Sequence, residues 1–138
     1  MLITVDPDGE VPIYQQLRDR IVEAIASGAL VEGSSLPSTR QLAVDLGVNF
    51  HTVNKSYEQL KREGLVQLNR RSGAVVRRDP RSGPADPAVL AGWRERARTL
   101  LAEAMAQGVD PQSLVAECQA LIDGLAGPDP SAEPRRPR

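Results

Sequence analysis

Apolar residues recur along this chain at two spacings. Tyr14, Leu17, Ile21, Val22 and Ile25 step at helical intervals between Pro12, suited to a first turn, and Gly28. Leu30 to Ser35 reads as a loop. Leu42, Ala43 and Leu46 mark a second, shorter helix behind Ser38, a natural N-cap with Gln41 placed to complete a capping box. Gly47 ends it. Asn49 restarts a helix two residues later, with Val48 and Val53 spaced as a hydrophobic staple. Val53, Tyr57 and Leu60 continue that stripe to Gly64. The period then changes to two. Val66 and Leu68 alternate with Gln67 and Asn69, and Ala74 and Val76 with Val75 and Arg77, around Arg70-Arg71-Ser72-Gly73.

Helix, tight turn, helix and hairpin in that order predict a winged helix-turn-helix. Small residues at Ala43 and Gly47 let the two helices cross closely. Beyond it, the Pro, Gly and Asp content of residues 77–86 predicts a linker. Leu90, Trp93, Ala97, Leu100 and Ala104 then step by three and four, a short heptad seam, with Leu101 beside it. Gly108 breaks this helix, and Asp110-Pro111 start another lined by Leu114, Val115, Cys118, Leu121, Ile122 and Leu125. Residues 127–138 carry four prolines and no large apolar residue, which predicts disorder. The expected fold class is mainly α with a small β-hairpin. It comprises a winged domain over 1–79, a linker over 80–87, a two-helix segment over 88–126 and a tail. Two such amphipathic helices cannot bury both stripes against each other in so small a unit, so a homodimer sharing one four-helix core is expected, with Leu90, Trp93, Ala97, Leu100, Leu101, Ala104, Leu114, Cys118, Leu121, Ile122 and Leu125 at its interface.

Charge changes the picture more than composition does. The net charge of −1 over 138 residues is by itself unsuited to nucleic acid, but it is unevenly spread. Residues 1–32 sum to −4, residues 33–81 to +5, residues 82–125 to −3 and the tail to +1. The excess of cations therefore falls on the helix pair and hairpin, where a phosphate footprint belongs. A single cysteine, Cys118, fits a reducing compartment. The acidic N-terminus has no apolar core segment and no apolar run is long enough for a bilayer, so a cytoplasmic protein without membrane partners is expected. No paired carboxylates, Cys/His pair, metal-ligand spacing or phosphate-binding glycine loop occurs, so no enzyme activity, metal or cofactor is expected.

The residues Leu36-Pro37-Ser38, Arg40, Leu42-Ala43, Leu46-Gly47-Val48, Thr52-Val53, Tyr57, Leu60, Glu63-Gly64-Leu65 and Gly73 resemble the DNA-binding domain of the GntR family of bacterial transcription regulators. The Pro-Ile-Tyr-x-Gln-Leu stretch from Pro12 extends the likeness upstream. Gly47-Val48-Asn49 with Thr52-Val53 is similar to the YtrA subfamily, whose short C-terminal extension dimerises without a large effector domain. The resemblance implies a homodimeric repressor reading a palindromic operator in double-stranded DNA, its own or a transporter operon. It further implies a DNA surface from Ser38, Thr39, Arg40, Asn49, Phe50, His51, Thr52, Asn54, Lys55, Arg70, Arg71, Ser72 and Gly73. Thr52 suits a phosphate and Asn54 an adenine edge. Asn49 caps its helix and is also placed to touch a base. Phe50 has two readings: packing on a thymine methyl, or packing against the neighbouring loop. Arg71-Ser72-Gly73-Ala74 stands where the family usually has Gly-x-Gly-Thr. A winged helix used only as a protein-interaction module is the competing reading, which the local +5 disfavours.

Overall fold

The computed structural model describes residues 3–69 and 73–126. The sequence readings that fall on the hairpin tip, Arg70 to Ser72, and on the tail, 127–138, lie outside the described residues. The chain divides into two units that meet at Ser82 and Gly83.

In the first unit, α1 (Ile13–Ser27) starts after Pro12 and ends at Gly28 in the left-handed region, φ 86°. Leu17, Ile21 and Ile25 are buried along one face. Then come β1 (Ser35–Leu36), α2 (Thr39–Leu46), α3 (Phe50–Arg62), β2 (Val66–Asn69) and β3 (Gly73–Val76). The N-cap readings hold: Ser38 Oγ accepts the Gln41 N–H at 3.1 Å, and Asn49 Oδ1 accepts the His51 N–H at 2.8 Å. The capping box is only half made. The Gln41 side chain turns forward instead, its amide N–H donating to the i,i+4 carboxylate of Asp45 at 2.7 Å, which takes its oxygen away from the Ser38 N–H it would accept.

The expected hairpin, β2 with β3, is present, and a short third strand joins it. The sheet order is β1-β3-β2, all antiparallel, with Leu36 opposite Ala74 and Leu68 opposite Ala74 from the other side. Leu30 and Leu36, from the stretch around the expected loop, are buried core residues. Gly33 and Val76 exchange backbone bonds with Val76 and Ser34 that lengthen this edge. The period of two is otherwise as expected: Val66, Ala74 and Val76 point inward. Gly73 opens β3 at φ 79°, and a Cβ there would stand 3.2 Å from the Leu36 carbonyl oxygen and from Ser38 Cα. The glycine is needed twice, for its dihedral and for the close approach of two backbones.

The core is one cluster in which Leu17, Ile21, Val53, Tyr57 and Leu60 are fully enclosed. Each such side chain contributes about 1.5–3 kcal/mol by leaving water. Two polar groups sit inside it. Ser56, 0% exposed, donates its hydroxyl to the Tyr14 carbonyl at 2.6 Å and so joins α3 to α1. The Tyr57 hydroxyl donates to the Pro37 carbonyl at 2.7 Å, joining α3 to the entry of α2. At the rim, Arg18 of α1 pairs with Glu63 beyond α3 at 2.7 Å and with Asp19 at 3.0 Å. Those bonds, Glu63 first, raise the Arg18 pKa further. Arg81 and Ser82, placed in the linker by composition, turn back onto this unit. The Asp79 carboxylate accepts the N–H groups of Glu32 and Arg81, and Ser82 Oγ donates to Glu32 at 2.8 Å. Those backbone donors hold the Asp79 pKa below its usual value.

The second unit consists of α4 (Pro87–Ala106) and α5 (Pro111–Ala126). Asp86 caps α4 by accepting the Ala88 N–H at 2.8 Å. Asp110 begins α5 by accepting both the N–H and the hydroxyl of Ser113, which lowers its pKa. Gly108 turns between them at φ 97°. No side chain of either helix is buried. Ala97, Ala104 and Leu114 are half-covered, whereas Trp93 is 55% and Leu121 64% exposed. Among the described residues, no helix is long and apolar enough to cross a membrane.

Two outcomes test this packing. Burial pushes the Tyr57 phenol well above its ordinary value of 10.0, so the neutral form belongs to the fold. Stability of the first unit should be unaffected by this group below that pH and fall as the pH rises through it, because only the unfolded chain ionises there. Denaturant melts of Tyr57→Phe should show a loss of about 1 kcal/mol at pH 7 for the missing hydrogen bond, and a shallower alkaline decline than the parent. Gly73→Ala should lower stability by about 1–2 kcal/mol for its left-handed dihedral, measured in the same melts.

Candidate nucleic-acid interface

The local chemistry of α2 and α3 decides what this face can offer. Gly47 closes α2 in the left-handed region at φ 66°, and Asn49 caps α3 after a two-residue connection. The turn is tight because Val48 N–H bonds the Ala43 carbonyl at 3.0 Å. It brings the first turn of α2, the first turns of α3 and the open end of the hairpin onto one side. A cleft of about 290 Å³ runs between them. Its walls are Ser38, Thr39 and Arg40 of the α2 start, Phe50, Asn54 and Tyr57 of α3, and Leu68, Asn69 and Gly73 of the hairpin.

Six of the residues singled out from sequence therefore share one cleft: Ser38, Thr39, Arg40, Phe50, Asn54 and Gly73. Asn54 is exposed, and its side-chain amide has no hydrogen-bond partner among the described residues. Both its donor and its acceptor are open to an outside group, as bidentate reading of a base edge requires. Arg40 is likewise exposed and in no ion pair among the described residues; its guanidinium carbon lies 5.1 Å from the centre of the Phe50 ring. Phe50 is half-buried and packed against the core. Of its two readings, packing within the protein is the one the geometry favours.

Four further described candidates do not line that cleft. Asn49 spends its side-chain oxygen on the cap. His51 is exposed, with its ring edge-on to Phe50 at 5.3 Å. Thr52 is half-buried on the first turn of α3. Lys55 holds its ammonium 3.9 Å above the Tyr14 ring, so it leans on α1. Arg70, Arg71 and Ser72 lie outside the described residues. Three members of the cleft, Tyr57, Leu68 and Asn69, are not among the DNA-contact candidates read from the sequence. Asn69 is the last paired residue before the tip and points outward in the phase of Gln67, a polar residue where alternation calls for one. Tyr57 was assigned to the core, which it fills, while its hydroxyl end reaches the cleft floor at Pro37. Gly73 is there for backbone reasons and brings no contact group of its own. Among the described residues, no three His, Cys, Asp or Glu side chains gather as a metal site.

Comparison with known proteins agrees with this architecture. Residues 13–76 match the family of bacterial regulatory proteins, gntR family. Over 126 residues the chain is 29% identical to the HTH-type transcriptional repressor YtrA of Bacillus subtilis, covering 89% of this chain and 96% of that protein. It is 33% identical over 93 residues to the HTH-type transcriptional regulator Rv1152 of Mycobacterium tuberculosis, covering 67% of this chain and 74% of that one. The structure of YtrA from Sulfolobus acidocaldarius, a GntR-family transcription factor, is similar with a TM-score of 0.60 and 37% identity, covering 77% of this chain and 99% of that one. These relatives are transcription regulators and not enzymes. A helix pair and hairpin that meet at one open polar cleft, with kinship on this scale, place the chain in the GntR family as a helix-turn-helix transcription regulator of YtrA-like type.

Proposed function

We propose that the protein is a homodimeric repressor that binds a palindromic operator through the cleft face of its first unit. The observation that carries this reading is the cleft itself. It gathers Thr39, Arg40, Asn54 and Asn69 from three elements, with Arg40 in no ion pair and the Asn54 amide without a hydrogen-bond partner among the described residues. The start of α3 enters the major groove, where Asn54 meets an adenine edge. Thr52, Lys55 and the arginines of the hairpin tip supply phosphate contacts, supported by the net +5 over residues 33–81. The Bacillus subtilis relative is a transcriptional repressor, which supports repression over activation.

Dimerisation rests on the second unit. Leu90, Trp93, Leu100, Leu121 and Ile122 are each more than half exposed on helices that cover none of them. A second copy offering the same faces buries both sets, in an isologous interface. Two first units related by that axis then read half-sites about one helical turn apart.

Two measurements check the proposal. The purified chain should sediment as a dimer, and Leu121→Asp with Ile122→Asp should sediment as a monomer; a monomeric parent excludes the interface. Asn54→Ala should weaken binding to a duplex selected by the parent by about 1–3 kcal/mol and relax preference at one base pair, read by titration against single-position variants of that duplex. A uniform loss across all variants would assign Asn54 to the phosphates instead.

A further inference from the structure

Arg40 and Phe50 come from different helices, yet the arginine cation rests over the phenyl ring at 5.1 Å. The ring is held by its surroundings. Phe50 is the first residue of α3, packs against the core, and meets the His51 ring edge-on at an interplanar angle of 65°. Arg40, by contrast, is exposed, and among the described residues no carboxylate pairs with it. Arg18 is the opposite case, with its guanidinium donors spent on Glu63 and Asp19.

The difference between these two arginines is chemical. A carboxylate fixes a guanidinium by consuming its N–H groups. An aromatic face attracts the cation through the ring quadrupole and consumes none of them. All five donors of Arg40 then remain for an outside acceptor. The rotamer freedom that an exposed arginine loses on binding is already curtailed.

Resting on the DNA reading above, we propose that Phe50 is a positioning residue. It is the platform that presents the Arg40 guanidinium to acceptor atoms of the duplex, a phosphate oxygen or the O6/N7 edge of guanine, and is not itself a base contact. The cation lies over one face of the ring, 5.1 Å from its centre, in competition with a thymine methyl for that face.

The test is a double-mutant cycle in the full chain, using a duplex that the parent selects from a random-sequence pool. Phe50→Leu should weaken binding about two- to fivefold, the range of an exposed cation–π contact. Phe50→Tyr, which keeps the ring, should bind like the parent. Phe50→Leu should cost nothing further once Arg40 is alanine. Any loss of folding in Phe50→Leu is common to both arms of the cycle and cancels, and melting curves of each variant measure it. Loss of about one unit of salt slope in Arg40→Ala assigns the acceptor to a phosphate. Loss of the parent's sensitivity to 7-deazaguanine assigns it to guanine. Equal losses from Phe50→Leu with and without Arg40, or a Tyr variant as weak as the Leu one, would overturn the platform while leaving DNA binding intact. A parent that selects no duplex at all removes both readings.

Discussion

The winged unit depends on how the middle of α3 is gripped. Ser56 and Tyr57 are both fully enclosed, and both carry hydroxyls into an apolar core. Neither is orphaned, since each donates to a carbonyl on a different neighbour, Tyr14 on α1 and Pro37 ahead of α2. Buried polar groups cost stability unless they are paired, so these two bonds accept only one placement of α3 against its neighbours. Apolar contacts alone tolerate sliding by a fraction of a turn. A helix that carries Asn54 and Phe50 in the proposed roles cannot.

The sheet supplies the second constraint. Ala74 is flanked by Leu36 on one side and Leu68 on the other, and Gly73 lets the backbones of β3 and the Leu36–Ser38 stretch approach closely. The hairpin is thereby tied to the residues just before α2. The Tyr57 hydroxyl binds the same short stretch at Pro37. One segment, Leu36 to Ser38, thus connects the hairpin, α3 and the start of α2, which is why the three walls of the cleft come from elements separated in sequence.

Much of this could be read from the residues because the signals are local. Ser38 and Asn49 announce helix starts, Gly28, Gly47 and Gly64 announce stops, and the alternation at Val66 to Val76 sets which side of the hairpin faces in. What could not be read depends on partners far along the chain. A strand of two residues such as Ser35–Leu36 has no period, and it exists only because β3 offers an unpaired edge. The forward bond of Gln41 to Asp45 competes with the backward reach of the same side chain to the Ser38 N–H, and spacing does not decide between them. The Arg40–Phe50 stack and the Lys55–Tyr14 stack join residues ten and forty-one positions apart, with no pattern to flag them. Asn69 was legible in principle, as the outward polar position nearest the tip, but its closeness to Asn54 required the fold.

The second unit raises a different consequence. Hydrophobic burial is the main favourable term in folding, and α4 and α5 enclose no side chain between them. Most helical stability in proteins comes from tertiary packing of an apolar face, which these two helices lack within their own unit. Their folded population is then governed by mass action, rising with the abundance of whatever covers them. In the proposed homodimer, protein level in the cell is a structural variable as well as a regulatory one, and dilution would melt this half of the molecule while the winged half, with its own closed core, stays intact.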